Sequence, residues 1–173
     1  AKSVATPART GALEIKAARA AVDAGDNEDA IDRYLSLIEG GTSEPVQVQA
    51  NFLLGQLYLG LGMYEQAYAR FQDNVIRFPA YYDSYSGLVA LVEAGQPVDD
   101  LLRGIVDYYA GQYGVALAAF DRYFQAGGAD QGAARYFNGL SLHALGGYQD
   151  AIGEWDKMIQ SFPDHPLWDD AWE

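Results

Sequence analysis

Cysteine is absent from the 173 residues, which excludes disulfides and thiolate chemistry and fits an extracytoplasmic protein without requiring one. Histidine is nearly absent: His143 and His165 have no second histidine at ligand spacing, so no metal site is expected. Basic residues are scarce, 11 Lys and Arg against 24 Asp and Glu, a formal charge of −13. Nucleic acid, whose affinity comes largely from cations neutralising phosphates, is therefore not an expected partner. An anionic membrane surface would be repelled in the same way. The charge reads first as a solvated acidic surface. No apolar run approaches the roughly 18 residues of a membrane span, because Gly, Gln, Asp and Glu interrupt each one, so no transmembrane segment is expected. GxSxG, phosphate-loop and HExxH motifs are missing too, leaving no catalytic constellation and no cofactor to expect.

What is present is repetition. GLGMYEQAYARFQDNVIRFP at 60–79 nearly returns as ALGGYQDAIGEWDKMIQSFP at 144–163. Leu61/Leu145, Gly62/Gly146, Tyr64/Tyr148, Ala67/Ala151, Phe78/Phe162 and Pro79/Pro163 coincide. Alanines in the same phrase recur at Ala30, Ala67, Ala116 and Ala151, with spacings of 37, 49 and 35 residues. Two spacings approach the roughly 34 residues of a helix–turn–helix repeat. The third is longer by about 15, the length of one further helix. Half of the residues are hydrophobic, enough for a sizeable core in one domain or a short solenoid. The chain starts at Ala1 and reads as a piece excised from a longer protein, with AKSVATPART (1–10) as a flexible leader.

Residues 48–81 show how one unit is made. Ser43 is placed to cap a first helix, with Glu44 at its positive end and Pro45 in its first turn. Val48, Phe52, Leu53, Leu57 and Tyr58 recur at helical spacing. Gly62 supplies a left-handed residue to end that helix. A second helix begins near Tyr64, carries Ala67, Phe71, Val75 and Ile76, and stops at Phe78-Pro79. Small residues at Gly55 and Ala67 let the two helices approach closely.

In Leu54, Gly55, Tyr58, Gly62, Tyr64, Ala67, Phe71 and Pro79 the unit resembles the tetratricopeptide repeat (TPR) signature. The unit at 132–165 resembles it through Gly139, Gly146, Tyr148, Ala151 and Pro163, with Leu142 and Trp155 replacing the usual tyrosine and phenylalanine. The unit at 97–130 keeps Gly104, Gly111, Tyr113, Ala116 and Phe120 without a closing proline. A degenerate unit at about 11–44 keeps Gly25, Ala30 and Tyr34, with Asn27 where tyrosine is usual. The resemblance implies an all-α fold, a right-handed TPR-like α-solenoid of antiparallel helix pairs. Helices are expected near 9–24, 27–39, 44–60, 64–77, 81–94, 98–110, 113–126, 131–145 and 148–161. One extra helix, 81–94, falls between the second and third full repeats. It is either unpaired, so that the solenoid kinks there, or pairs with 98–110 as an irregular repeat. Residues 166–173, PLWDDAWE, read as the start of a further truncated helix, and self-association through that end is expected.

Function follows less closely. The resemblance implies that one face of each first helix lines a ligand groove, which gives Phe52, Gln56 and Leu59; Leu101, Ile105 and Tyr108; and Tyr136, Leu140 and His143, with Arg19 at one end. Chaperone-binding TPR proteins place Lys, Arg and Asn there, unlike these mostly apolar and aromatic residues. The groove suits a protein or peptide partner, or a glycan strand stacking on Tyr108, Tyr109 and Tyr136. Each of these side chains could equally be core against the next repeat. His143 reads as a polar rim residue. The pairs Asp99/Asp100 and Asp169/Asp170 follow Pro97 and Pro166 and read as helix starts, not as a glycosidase dyad. In its repeat endings, VIRFP and MIQSFP, the chain resembles bacterial envelope TPR-like proteins. Residues 81–124 look like the helical region of soluble lytic transglycosylases. Two readings result: a non-catalytic interaction scaffold of the cell envelope, or the non-catalytic region of a wall enzyme whose catalytic domain lies beyond Glu173.

Overall fold

The computed structural model describes residues 7–172, with side chains from Thr10 onward. Among these residues there are nine α-helices and no strand: α1 (Pro7–Asp23), α2 (Asn27–Glu39), α3 (Glu44–Gly60), α4 (Tyr64–Arg77), α5 (Tyr82–Glu93), α6 (Asp100–Tyr109), α7 (Tyr113–Gln125), α8 (Gln131–Ala144) and α9 (Tyr148–Ser161). The chain divides into two compact units, Ala1–Gln96 and Pro97–Glu173. The all-α, helix-pair expectation holds. Of the expected leader, residues 7–10 belong to α1, and the rest lies outside the described residues.

Each unit is built from helix pairs with one recurring device. The first unit packs α1 with α2 and α3 with α4, and lays α5 on α4 and α3. The second packs α6 with α7 and α8 with α9. Within three pairs a glycine of the first helix receives an aromatic ring of the second: Gly55 meets Phe71, Gly104 meets Phe120, and Gly139 meets Trp155. Phe71 and Phe120 are buried. Ala67, Ala116 and Ala151, the alanines of the repeated phrase, have no exposed surface. Gly62 and Gly146 end their helices at φ 74° and 83°, in the left-handed region glycine enters without strain.

Aspartates cap three helices. Asp26 accepts from Asp29 N–H at 3.2 Å, Asp99 from Leu101 and Leu102 N–H, and Asp130 from Ala133 N–H at 2.9 Å. Asp99 thus caps α6 as its sequence position implied, while Asp100 pairs with Arg122 at 2.6 Å. Ser43 occupies the N-cap of α3, but its hydroxyl makes no capping bond.

Of the two segments the sequence singled out, the extra helix expected at 81–94 is present as α5 (Tyr82–Glu93), and the C-terminal one departs from the expected helix. The extra helix, α5, belongs to the first unit and takes the place of a first helix there. Gly87 packs on Phe71, and Ser84 Oγ donates to the carbonyls of Phe78 and Asn74 at 2.6 and 3.2 Å. Residues 166–172 form successive turns and no regular helix. The reason is local: Leu167 packs on the core of the second unit, Leu167 N–H donates to His165 Nδ1, and the Trp168 indole donates to the Ile159 carbonyl at 3.0 Å. These ties fold the segment back onto its own unit, and Asp169/Asp170 therefore start no helix.

Candidate interaction face

In the first unit the residues facing α4 fix which sides of α3 and α5 are left over. Asn51 and Gly55 turn α3 toward Asn74 and Phe71. Ser84 and Gly87 do the same for α5. With 3.6 residues per turn, a row flanking that contact carries Gln49, Phe52, Gln56 and Leu59 on α3, and the row turned away from it carries Tyr82, Tyr85, Val89 and Val92 on α5. On α1 the corresponding residues are Arg19 and Val22. An open cleft of about 660 Å³ lies between α1 and α3 and meets this row at Gln56, with Arg19, Val22 and Asp23 on one wall, Leu53, Gln56 and Leu57 on the other, and Tyr34 beneath.

The electrostatics of this face centre on Arg19, which is exposed and makes no hydrogen bond or ion pair. Burial pushes the Asp83 carboxyl above its usual range, and Arg19 partly opposes that rise. Burial likewise raises the Tyr34 phenol, with Arg19 lowering it and Asp23 raising it. The cleft combines aliphatic side chains with one unpaired guanidinium, the Asp23 carboxylate and the amide of Gln56 at its rim.

The residues expected to line a groove fall into two groups. Gln56 is exposed on the cleft, and Leu59 is half-buried and does not line it. Phe52 is also half-buried, its ring 5.7 Å from that of Phe71. In the second unit Leu101, Ile105, Tyr108, Tyr136 and Leu140 are half-buried and pack on the cluster of Ala116, Phe120, Tyr123, Ala134 and Phe137. Tyr108 lies between Tyr109, Tyr113 and Phe137 at ring distances of 5.3–5.8 Å. Burial and the two neighbouring tyrosines raise its phenol above the ordinary value. These five serve the core with part of their surface. Tyr109 is 49% exposed. His143 is exposed and stacks edge-on with Tyr148 at 5.0 Å, at the rim of the α8–α9 pair.

Sequence reasoning missed the α5 row, since α5 carries no repeat signature. A signal did exist: its apolar and small residues form two sets at helical spacing, one at 84, 87, 88 and 91 and the other at 82, 85, 89 and 92. It also missed Asp107, which is only 4% exposed. Burial raises its carboxyl to about 6, with Arg103 and Arg122 acting in the opposite direction. The Nε of Arg103 is itself buried without a partner.

Stacked helix pairs joined by glycine turns, with the first helices presenting a lateral face, define a helical-repeat protein. A family model described as tetratricopeptide repeat matches residues 15–82 and 101–166, and the chain belongs to that family. No curated protein and no solved structure matches it. The match gives no support to a lytic transglycosylase relationship. No described helix is long and apolar enough to cross a membrane.

Proposed function

We propose that this chain is a non-catalytic scaffold that holds a protein or peptide partner along the outward rows of its first helices. The observation that carries this is the open cleft between α1 and α3. Its floor is the buried Tyr34, while Arg19 and Gln56 remain exposed at its rim. Helical-repeat surfaces of this kind bind polypeptides through many side chains on a rigid frame. The envelope setting and the wall-enzyme reading rest on sequence resemblance alone, and no feature of the face favours a glycan. Among the described residues, self-association through the C-terminal end rests on the exposure of Trp172.

A direct test uses peptides selected from a random display library on the immobilised chain. A photo-crosslinking residue is placed at Gln56 on the cleft, or at Gln66, exposed on α4. Crosslinks from position 56 and none from position 66 are expected. The reverse pattern would place binding on the second helices and end the proposal.

A further inference from the structure

Within the first unit, α5 has no second helix of its own. Its buried face is complete: Ser84, Gly87, Leu88 and Leu91 are all covered. On the opposite side Tyr82, Tyr85, Val89 and Val92 fall at i, i+3, i+7 and i+10, inside an arc of roughly 80° and over about 15 Å of helix. Tyr82 is 74% exposed, Val89 36% and Val92 38%. The equivalent row of α3 alternates polar and apolar residues, whereas this one is an unbroken stripe. We propose that the α5 stripe seats an amphipathic helix of a partner protein, one carrying Lys or Arg along the edge of its apolar face. The inference deepens the scaffold reading and rests on it.

Three physical arguments select that occupant. An extended peptide would lay its backbone N–H and C=O groups against Val89 and Val92, which offer no hydrogen bonds, and leave them unsatisfied; a helix satisfies its own. The preference for a basic flank comes from Glu93, which borders the stripe, is exposed, and has no ion-pair partner. Asp83 lies further round the same helix with Arg19 as its neighbouring cation. A second copy of this chain fits less well, because each chain carries a charge of −13 and two copies repel each other. The helix-in-groove mode, with anchors at i, i+3/i+4 and i+7, matches the geometry instead.

The test uses the full chain and three labelled synthetic peptides of about 18 residues. One is an amphipathic helix with a leucine stripe and lysine flanks, the second has glutamate flanks, and the third is a scrambled version of the first. Binding is read by fluorescence anisotropy for the wild type, the Val89→Ser/Val92→Ser double variant, and Glu93→Lys. All substituted positions are exposed, and circular dichroism verifies that each variant is folded. The wild type should bind the lysine-flanked helix roughly tenfold more tightly than either other peptide. The double variant should lose roughly tenfold of that affinity, and Glu93→Lys should erase the preference for lysine over glutamate flanks. Equal binding of the scrambled peptide, or an unchanged affinity in the double variant, would overturn the inference. So would a dimer in sedimentation that the double variant abolishes. Display-selected peptides that still crosslink at position 56 in the double variant would overturn it too, while leaving the α1–α3 cleft as the binding face.

Discussion

The side-chain amide of Asn51 donates to Asn74 Oδ1 at 3.0 Å, between two residues with no exposed surface. Asn51 also donates to Asp73 at 2.7 Å, and Asn74 donates to the Val48 carbonyl at 3.0 Å. The backbone carbonyl of Asn74 accepts in turn from Ser84. One buried polar chain therefore ties α3, α4 and α5 in a fixed register.

Asn74→Leu should be costly for that reason. It removes the side-chain bond to the Val48 carbonyl and one acceptor from Asn51, whose Oδ1 already lacks a partner, leaving Asn51 under-satisfied in a buried site. Buried groups left unpaired typically cost about 1–3 kcal/mol each. The expected loss of about 2–3 kcal/mol is measurable by urea unfolding. A variant as stable as wild type would mean the register is set by apolar packing alone.

Glycine-to-alanine substitutions should have opposite signs at different sites. At Gly104 a methyl group would collide with the Phe120 ring, which is buried and cannot retreat. Overpacking there should cost about 1–3 kcal/mol. Gly153, inside α9, has no atom within 4 Å of the added carbon. Alanine at that position should gain about 0.5–1 kcal/mol from helix propensity. Melting temperatures moving in the same direction would refute the packing assignment.

Leucine at Ala67 or Ala151 should destabilise by about 1–3 kcal/mol, since neither position has room. Ala30 belongs to the degenerate first unit. Ala30 is buried as completely as the others, so Ala30→Leu should cost about the same. Thermal unfolding of the three variants side by side settles the comparison.

Asp107 should make stability fall with rising pH across a defined window. Its carboxyl is raised from 3.8 to about 6 in the folded chain, so the folded state holds the proton more tightly than the unfolded state. The cost of the buried charge is absent below about pH 4, grows between the two values, and is complete above about pH 6. It can reach about 3 kcal/mol. Asp107→Asn should be more stable than wild type at pH 7 and comparable to it near pH 4. A stability difference that does not change with pH would show that Asp107 ionises as freely as in the unfolded chain.

The helices were legible because the repeat prints its own punctuation: Gly62 and Gly146 at the turns, Pro79 and Pro163 at the ends, alanine at the close contacts. The expected boundaries of α4 and α9 coincide with the observed ones. Long-range choices were not legible. Tyr108 and Tyr136 have the periodicity of a ligand face and of a core face alike, and only their packing on the cluster built around Ala116, Phe120 and Phe137 decides between them. The outward stripe of α5 was hidden for the converse reason. Its residues look like ordinary core until Ser84 and Gly87 are seen to occupy the inner side. At the C-terminal end, Pro166 and the following aspartates spell a helix start, but bonds from Leu167 and Trp168 hold the segment in turns.

Backbone amide chemical shifts, recorded while a display-selected peptide is titrated into the full chain, test the scaffold reading most directly. Perturbations should concentrate on the outward rows of the first unit, at Arg19, Val22, Gln56 and Leu59 and along α5 at Val89. The outer side of α4, at Gln66, Ala69 and Ile76, should stay unchanged. Shifts centred on α4 and absent from the first-helix rows would contradict it.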